Sequence, residues 1–151
     1  MNKERERTPR QIVIRLLFLS YCALMLWLLF GQRLDVGAAE HNWNLVPLQT
    51  LKLYVKMLQN THNAYLFRHA LINLVGNVLM FVPLGLFLPS IWPRFRSFWS
   101  CSLCLLLVII AVELIQYLTN LGSCDVDDLI LNVPGALIGW EIYRLRTRKR
   151  K

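Results

Sequence analysis

The sequence has 151 residues, of which 56% are apolar, and a formal net charge of +8. That length suits one compact domain rather than two. The apolar residues run in long blocks and the basic ones crowd the two ends, so no basic stripe interleaved with aromatics exists to follow a nucleic-acid backbone, and no nucleic acid is expected as a partner.

Residues 1–11 form a basic leader, expected to be cytoplasmic. The first apolar block, 12–30, is interrupted only by Arg15 near its edge, where a long side chain can snorkel. A basic leader before an apolar run also resembles a signal peptide, and Val36-Gly37-Ala38 would pass as its cleavage site. The run Leu16–Phe30 already reaches the upper limit of a signal core, however, and with its flanks is long enough to span, so a retained helix is expected. About forty residues follow before the next span, too many for a plain connection. Within them Leu51, Tyr54, Val55 and Leu58 recur at helical spacing, with Lys52, Lys56 and Gln59 opposite. That pattern predicts a short external amphipathic helix, lying in the interface or capping a bundle.

Three more spans are predicted at 69–91, 98–117 and 127–143, the last short for the ~20 residues a bilayer asks for. Val82-Pro83 should bend the second span. Cys101 and Cys104 have the spacing of a redox half-site but no second pair, and Cys22 and Cys124 have no obvious partner, so packing is the expected role of the four. Residues 144–151 form a basic tail. With both termini inside, thirteen of the seventeen basic residues are cytoplasmic, and only Arg33, Lys52, Lys56 and Arg68 are external. The expectation is therefore an all-α membrane protein, a bundle of about four transmembrane helices with both ends cytoplasmic.

Several polar groups do not belong in lipid. Asn73 and Asn77 share one face of the second span, Glu113 and Gln116 one face of the third. The fourth opens with Asp125, Asp127 and Asp128, carries Asn132 one turn later, and then Gly135 and Gly139 at a spacing that lets backbones approach. At 1.5 Å per residue, the amides and Glu113 lie within about 10 Å of the outer edge of the hydrocarbon. Three helices thus deliver polar groups to one layer. Membrane amides often serve only as interhelical glue, but an ionisable group such as Glu113 marks a functional site by default. Asp125 reads as a solvated loop charge, while Asp127 and Asp128 fit either role.

These residues together resemble the VanZ-like family. The resemblance rests on Asn73-Leu-Val-Gly76-Asn77 through Val-Pro83-Leu-Gly85, on Glu113-Leu-Ile-Gln116, and on Asp125-Val-Asp127-Asp128 through Asn132, with Gly135 and Gly139 behind. Asn44-Leu-Val-Pro47 is similar to a further family element. Two departures stand out: Gly122 and Ser123 occupy the stretch where members often carry an arginine, and Pro134 precedes Gly135 where other residues are usual. The resemblance implies a multi-pass protein of the bacterial cytoplasmic membrane associated with glycopeptide (teicoplanin) resistance.

The expected function is to bind a lipid-linked envelope precursor or a lipoglycopeptide at the outer leaflet, with membrane lipids as its other partners. Asn73, Asn77, Gln116 and Asn132 would meet a head group, and Glu113, Asp127 and Asp128 would hold a cation or an amine. The alternatives are a metal-dependent enzyme acting on a lipid head group through Glu113, Asp127 and Asp128, and a small transporter. No histidine joins the cluster and no nucleophile elbow or phosphate loop is present, so binding is preferred to catalysis. No cofactor is assigned.

Overall fold

A computed structural model describes residues 8–31, 43–60, 62–121 and 124–148. Residues 1–7 of the leader, the Val36–Ala38 stretch, Gly122, Ser123 and the last three basic residues lie outside the described residues. The described residues form five helices: α1 (Pro9–Phe30), α2 (Gln49–Asn60), α3 (Ala64–Ile91), α4 (Phe98–Leu118) and α5 (Val126–Arg148). A 3₁₀ turn, Pro93–Arg96, joins α3 to α4. Two short strands, β1 (Trp43–Asn44) and β2 (Cys124–Asp125), pair in parallel, with Asn44 opposite Asp125.

Helices α1, α3 and α4 are each long and apolar enough to cross a membrane. Helix α5 is as long but not as apolar, because Asp127, Asp128 and Glu141 interrupt it and its last turns are basic. It runs five residues past the expected end, with Arg144 in an ion pair to Glu141 one turn back. Helix α3 begins five residues before the expected start. There Asn63 caps it, its side-chain oxygen accepting from the Tyr65 and Leu66 amides at 2.9 and 3.4 Å.

The tightest contact is between α3 and α5, which run parallel to each other. Glycine makes it possible. A methyl group at Gly85 would overlap the Ala136 carbonyl, one at Gly135 the Val78 carbonyl, and one at Gly139 the Val82 carbonyl. The two backbones therefore touch directly, the arrangement that small residues permit between membrane helices. Around this pair pack Phe81, Leu105, Ile109 and the indole of Trp140, whose Nε1–H donates to the Phe95 carbonyl at 3.2 Å. Helix α1 lies against α3 through Phe18 and Tyr21; the Tyr21 hydroxyl donates to the Met80 carbonyl at 2.8 Å, just ahead of Pro83. Most of the apolar surface of α1 faces outward, Leu16, Leu19, Leu24 and Trp27 included, as a lipid-facing helix requires. The four cysteines are free thiols, and Cys101 is fully enclosed in the core, a packing role.

Candidate functional site

One end of the bundle gathers the C-terminal turns of α1 and α4, the N-terminal halves of α3 and α5, and α2. Two polar systems occupy that end.

The first is a clamp. Asn44 forms a turn in which its side-chain oxygen accepts from the Val46 amide at 3.1 Å. Its Nδ2 donates to Thr50 Oγ1 at 2.9 Å and to Asp125 Oδ1 at 3.2 Å, and Thr50 Oγ1 donates to Asp125 Oδ2 at 2.6 Å. Asp125 also caps α5, accepting from the Asp127 amide at 2.8 Å. At 7% exposure it is not the solvated loop charge expected from the sequence; a hydroxyl and an amide from the other half of the chain replace its water. Asp127 is 1% exposed and accepts from the Leu48 amide and, at 3.0 Å, the Leu51 amide. Leu48 sits in the left-handed region with φ 66°, a conformation a branched side chain resists. Its amide is thereby turned to the buried carboxylate. Asp127 thus satisfies orphan donors at the start of α2, and its negative charge lies near the positive ends of two helices.

The second system is a cleft of about 570 Å³ lined by Asn73, Asn77, Glu113, Gln116, Asp128 and Asn132, with Gly76 beside them and Leu28 and Leu29 of α1 on the apolar wall. Six of the seven residues singled out from sequence therefore meet in one cavity, and Asp127 is turned away into the clamp. Adjacent residues on a helix point about 100° apart, which is how Asp127 and Asp128 come to face different partners. Asn77 Nδ2 donates to Asp128 Oδ1, joining α3 to α5. Gln116 Nε2 donates at 3.1 Å to the Leu29 carbonyl, one of the orphan acceptors ending α1. Asn73 Nδ2 donates at 2.8 Å to the His69 carbonyl in its own helix. Glu113 is 7% exposed, and its Oε2 accepts from the Asp125 amide at 3.4 Å. Asn132 is 3% exposed and its Oδ1 has no hydrogen-bond partner. Gly76 keeps the wall open, since the nearest atom to a methyl group there is 3.9 Å away.

The surroundings of Cys124 are acidic. Burial pushes the Cys124 thiol above its ordinary range, and the carboxylates of Glu113, Asp125 and Asp128 push it the same way. Among the described residues, no three histidine, cysteine, aspartate or glutamate side chains stand together as a metal site. The set Glu113, Asp127 and Asp128 considered from sequence is divided between clamp and cleft. Asn44 and Thr50 were not among the expected site residues. The only sequence signal for Asn44 was its place in Asn44-Leu-Val-Pro47.

Comparison with known proteins adds three findings. The model of the VanZ/LLP1 family matches residues 18–147. Protein VanZ of Enterococcus faecium is 28% identical over 75 residues, which are 50% of this chain and 46% of that protein, so the chain spans about half the length of the curated relative it matches. No solved structure matches.

Proposed function

This chain belongs to the VanZ/LLP1 family, and on that premise we propose that it contributes to glycopeptide resistance or envelope homeostasis by binding, in the cleft, an envelope lipid, lipid-linked precursor or lipoglycopeptide. The observation that carries the reading is the convergence of Asn73, Asn77, Glu113, Gln116, Asp128 and Asn132 on one cavity at one end of an apolar bundle. An acyl chain can lie along the apolar wall of α1 while a head group meets the amides and carboxylates. The rivals draw no such support. A metal-assisted enzyme lacks a grouped ligand set among the described residues, and a transporter calls for polar groups at mid-membrane, whereas these lie toward one end.

The decisive variant is Glu113→Gln, which keeps the volume and removes only the carboxylate. It is expected to lower the teicoplanin resistance conferred by the chain to that of an empty vector, with membrane abundance within about twofold of wild type, because hydrogen bonds to a charged group are the strong ones. Undiminished resistance would show that the carboxylate is not needed.

In this reading the cleft opens to the outer face of the cytoplasmic membrane, and α5 makes a fourth crossing, bringing both termini inside. The support is the distribution of charge: Arg10, Arg15, Arg94, Arg96, Arg144, Arg146 and Arg148 lie at the end away from the cleft, as cytoplasmic anchors do. Cysteines placed at Lys52 and Asn120 are expected to react with an impermeant thiol reagent added to intact cells, and one at Arg148 to stay unlabelled. Labelling at Arg148 alone would invert the orientation.

A further inference from the structure

We propose that the end of the bundle away from the cleft holds an anionic phospholipid, its phosphate on Arg15 and an acyl chain in the groove between α1 and the end of α3. This site is separate from the cleft and needs only that α1 lie in a bilayer, for which its length and apolarity suffice. The groove has a volume of about 420 Å³. Its walls are Ile12, Leu16 and Leu19 of α1, with Ile91 and Trp92 where α3 ends. Phe18 and Trp92 meet edge to face with ring centroids 5.6 Å apart, which ties the two walls together. Arg15 belongs to this groove and also to a smaller hollow beside it, shared with Gln11 and Ser90. It is half-buried between the helices and not wholly extended into solvent.

Neither hollow contains a carboxylate, and among the described residues no ion pair neutralises Arg15. The planar fork of guanidinium donors matches two oxygens of a phosphate. A net-negative head group suits the groove better than a zwitterionic one, because nothing in the lining meets the ammonium of the latter. Gln11, one turn earlier on the same face, adds an amide donor. Ser90 does not, since its hydroxyl already donates to the Leu86 carbonyl at 2.7 Å. The carbonyl end of α3 opposes an anion with about half a charge, less than the full charge of Arg15. Beside the polar pair run Ile12, Leu16 and Leu19, and at 1.5 Å per residue Leu19 lies about 6 Å deeper than Arg15. An acyl chain follows that apolar stripe toward the middle of the bilayer while the head group stays at its edge. Arg10, Arg94, Arg96 and the basic last turns of α5 lie at the same end, and such clusters concentrate anionic lipid near the groove.

The test uses the full chain purified in dodecylmaltoside. Binding of dioleoylphosphatidylglycerol and dioleoylphosphatidylcholine is counted by native mass spectrometry, with melting followed alongside. The expected result is a phosphatidylglycerol bound about tenfold more tightly than phosphatidylcholine, the scale of a charge-assisted hydrogen bond. Arg15→Gln is expected to erase that preference, while Arg146→Gln, which removes an exposed charge at the same end, keeps it. Leu16→Trp fills the groove from an exposed position without touching Arg15. It is expected to displace the tight lipid with an unchanged lipid-free Tm, and it carries the test if Arg15→Gln does not fold. Equal binding of the two lipids to the wild type overturns the proposal. So does an equal loss of preference in Arg15→Gln and Arg146→Gln, which would assign it to the charge of the whole end. A preference that survives both Arg15→Gln and Leu16→Trp overturns it as well and leaves Arg15 a structural anchor. Inorganic phosphate in place of lipid is expected to leave Tm unchanged; stabilisation equal to that by phosphatidylglycerol would make the ligand a free anion and end the lipid assignment.

Discussion

Gly139→Val is expected to leave almost no correctly folded protein in the membrane. The hydrogen at Gly139 faces the Val82 carbonyl and the Leu86 amide nitrogen, both backbone atoms of α3. A side chain there cannot be accommodated by a rotamer change, because the obstruction is a helix ladder and not a flexible neighbour. The helices must separate, and with them goes the packing of Phe81, Leu84, Ala136 and Trp140. Overpacking usually costs about 1–3 kcal/mol; a clash with main chain at the tightest contact of the bundle belongs at or beyond the upper end. The measurement is fluorescence-detected size exclusion with a thermal ramp, beside Gly76→Ala as control. Gly76 borders the cleft in open space, so its alanine variant should elute and melt like the wild type. A Gly139→Val protein that melts normally would mean that α3 and α5 do not approach as described.

Asp127→Ala should release α2 from the bundle. The change strands the Leu48 and Leu51 amides, takes away the charge that complements two helix starts, and leaves Leu48 held at positive φ with nothing to hold it. Two lost hydrogen bonds to a buried carboxylate, discounted for water reaching the freed amides, come to about 3 kcal/mol. Limited proteolysis should then cut within residues 43–60 while α3 to α5 stay protected. Asp127→Asn keeps one good acceptor and should fall between wild type and alanine. Alanine-variant protein with an intact α2 region and lost ligand binding would instead return Asp127 to the cleft.

Helices were the legible part of this sequence, and the reasons are local. Long apolar blocks announce themselves without knowledge of their neighbours, and the apolar period of Leu51, Tyr54, Val55 and Leu58 marked α2. The ends at Ala64 and Arg148 were harder to see, because Asn63 acts as a cap only if the backbone turns there, and polar residues such as Glu141 continue a helix as readily as they leave one. The cleft was legible because depth can be counted along each helix, so that Asn77, Glu113 and Asn132 were placed in one layer before any packing was known. The clamp was not. Asn44 and Thr50 meet Asp125 across 81 and 75 residues, and no periodicity connects them. Asp127 and Asp128 are identical in type and adjacent in the chain; only the partners on α2 and α3 separate a capping carboxylate from one that lines a cavity.

The distance along the chain between Leu51 and its carboxylate partner, 76 residues, has a consequence for biosynthesis. A ribosome delivers α2 long before Asp127 exists, so the nascent protein carries a helix start with no acceptor for its amides and a neighbouring strand with no mate. The groove of α3 that Gly135 and Gly139 will occupy is likewise vacant until α5 has been made. Closure therefore waits for the last helix, which completes both contacts in one docking event. A transcript cut short after α4 would yield three apolar helices with an open seam, a product for quality-control proteases and not a smaller working protein.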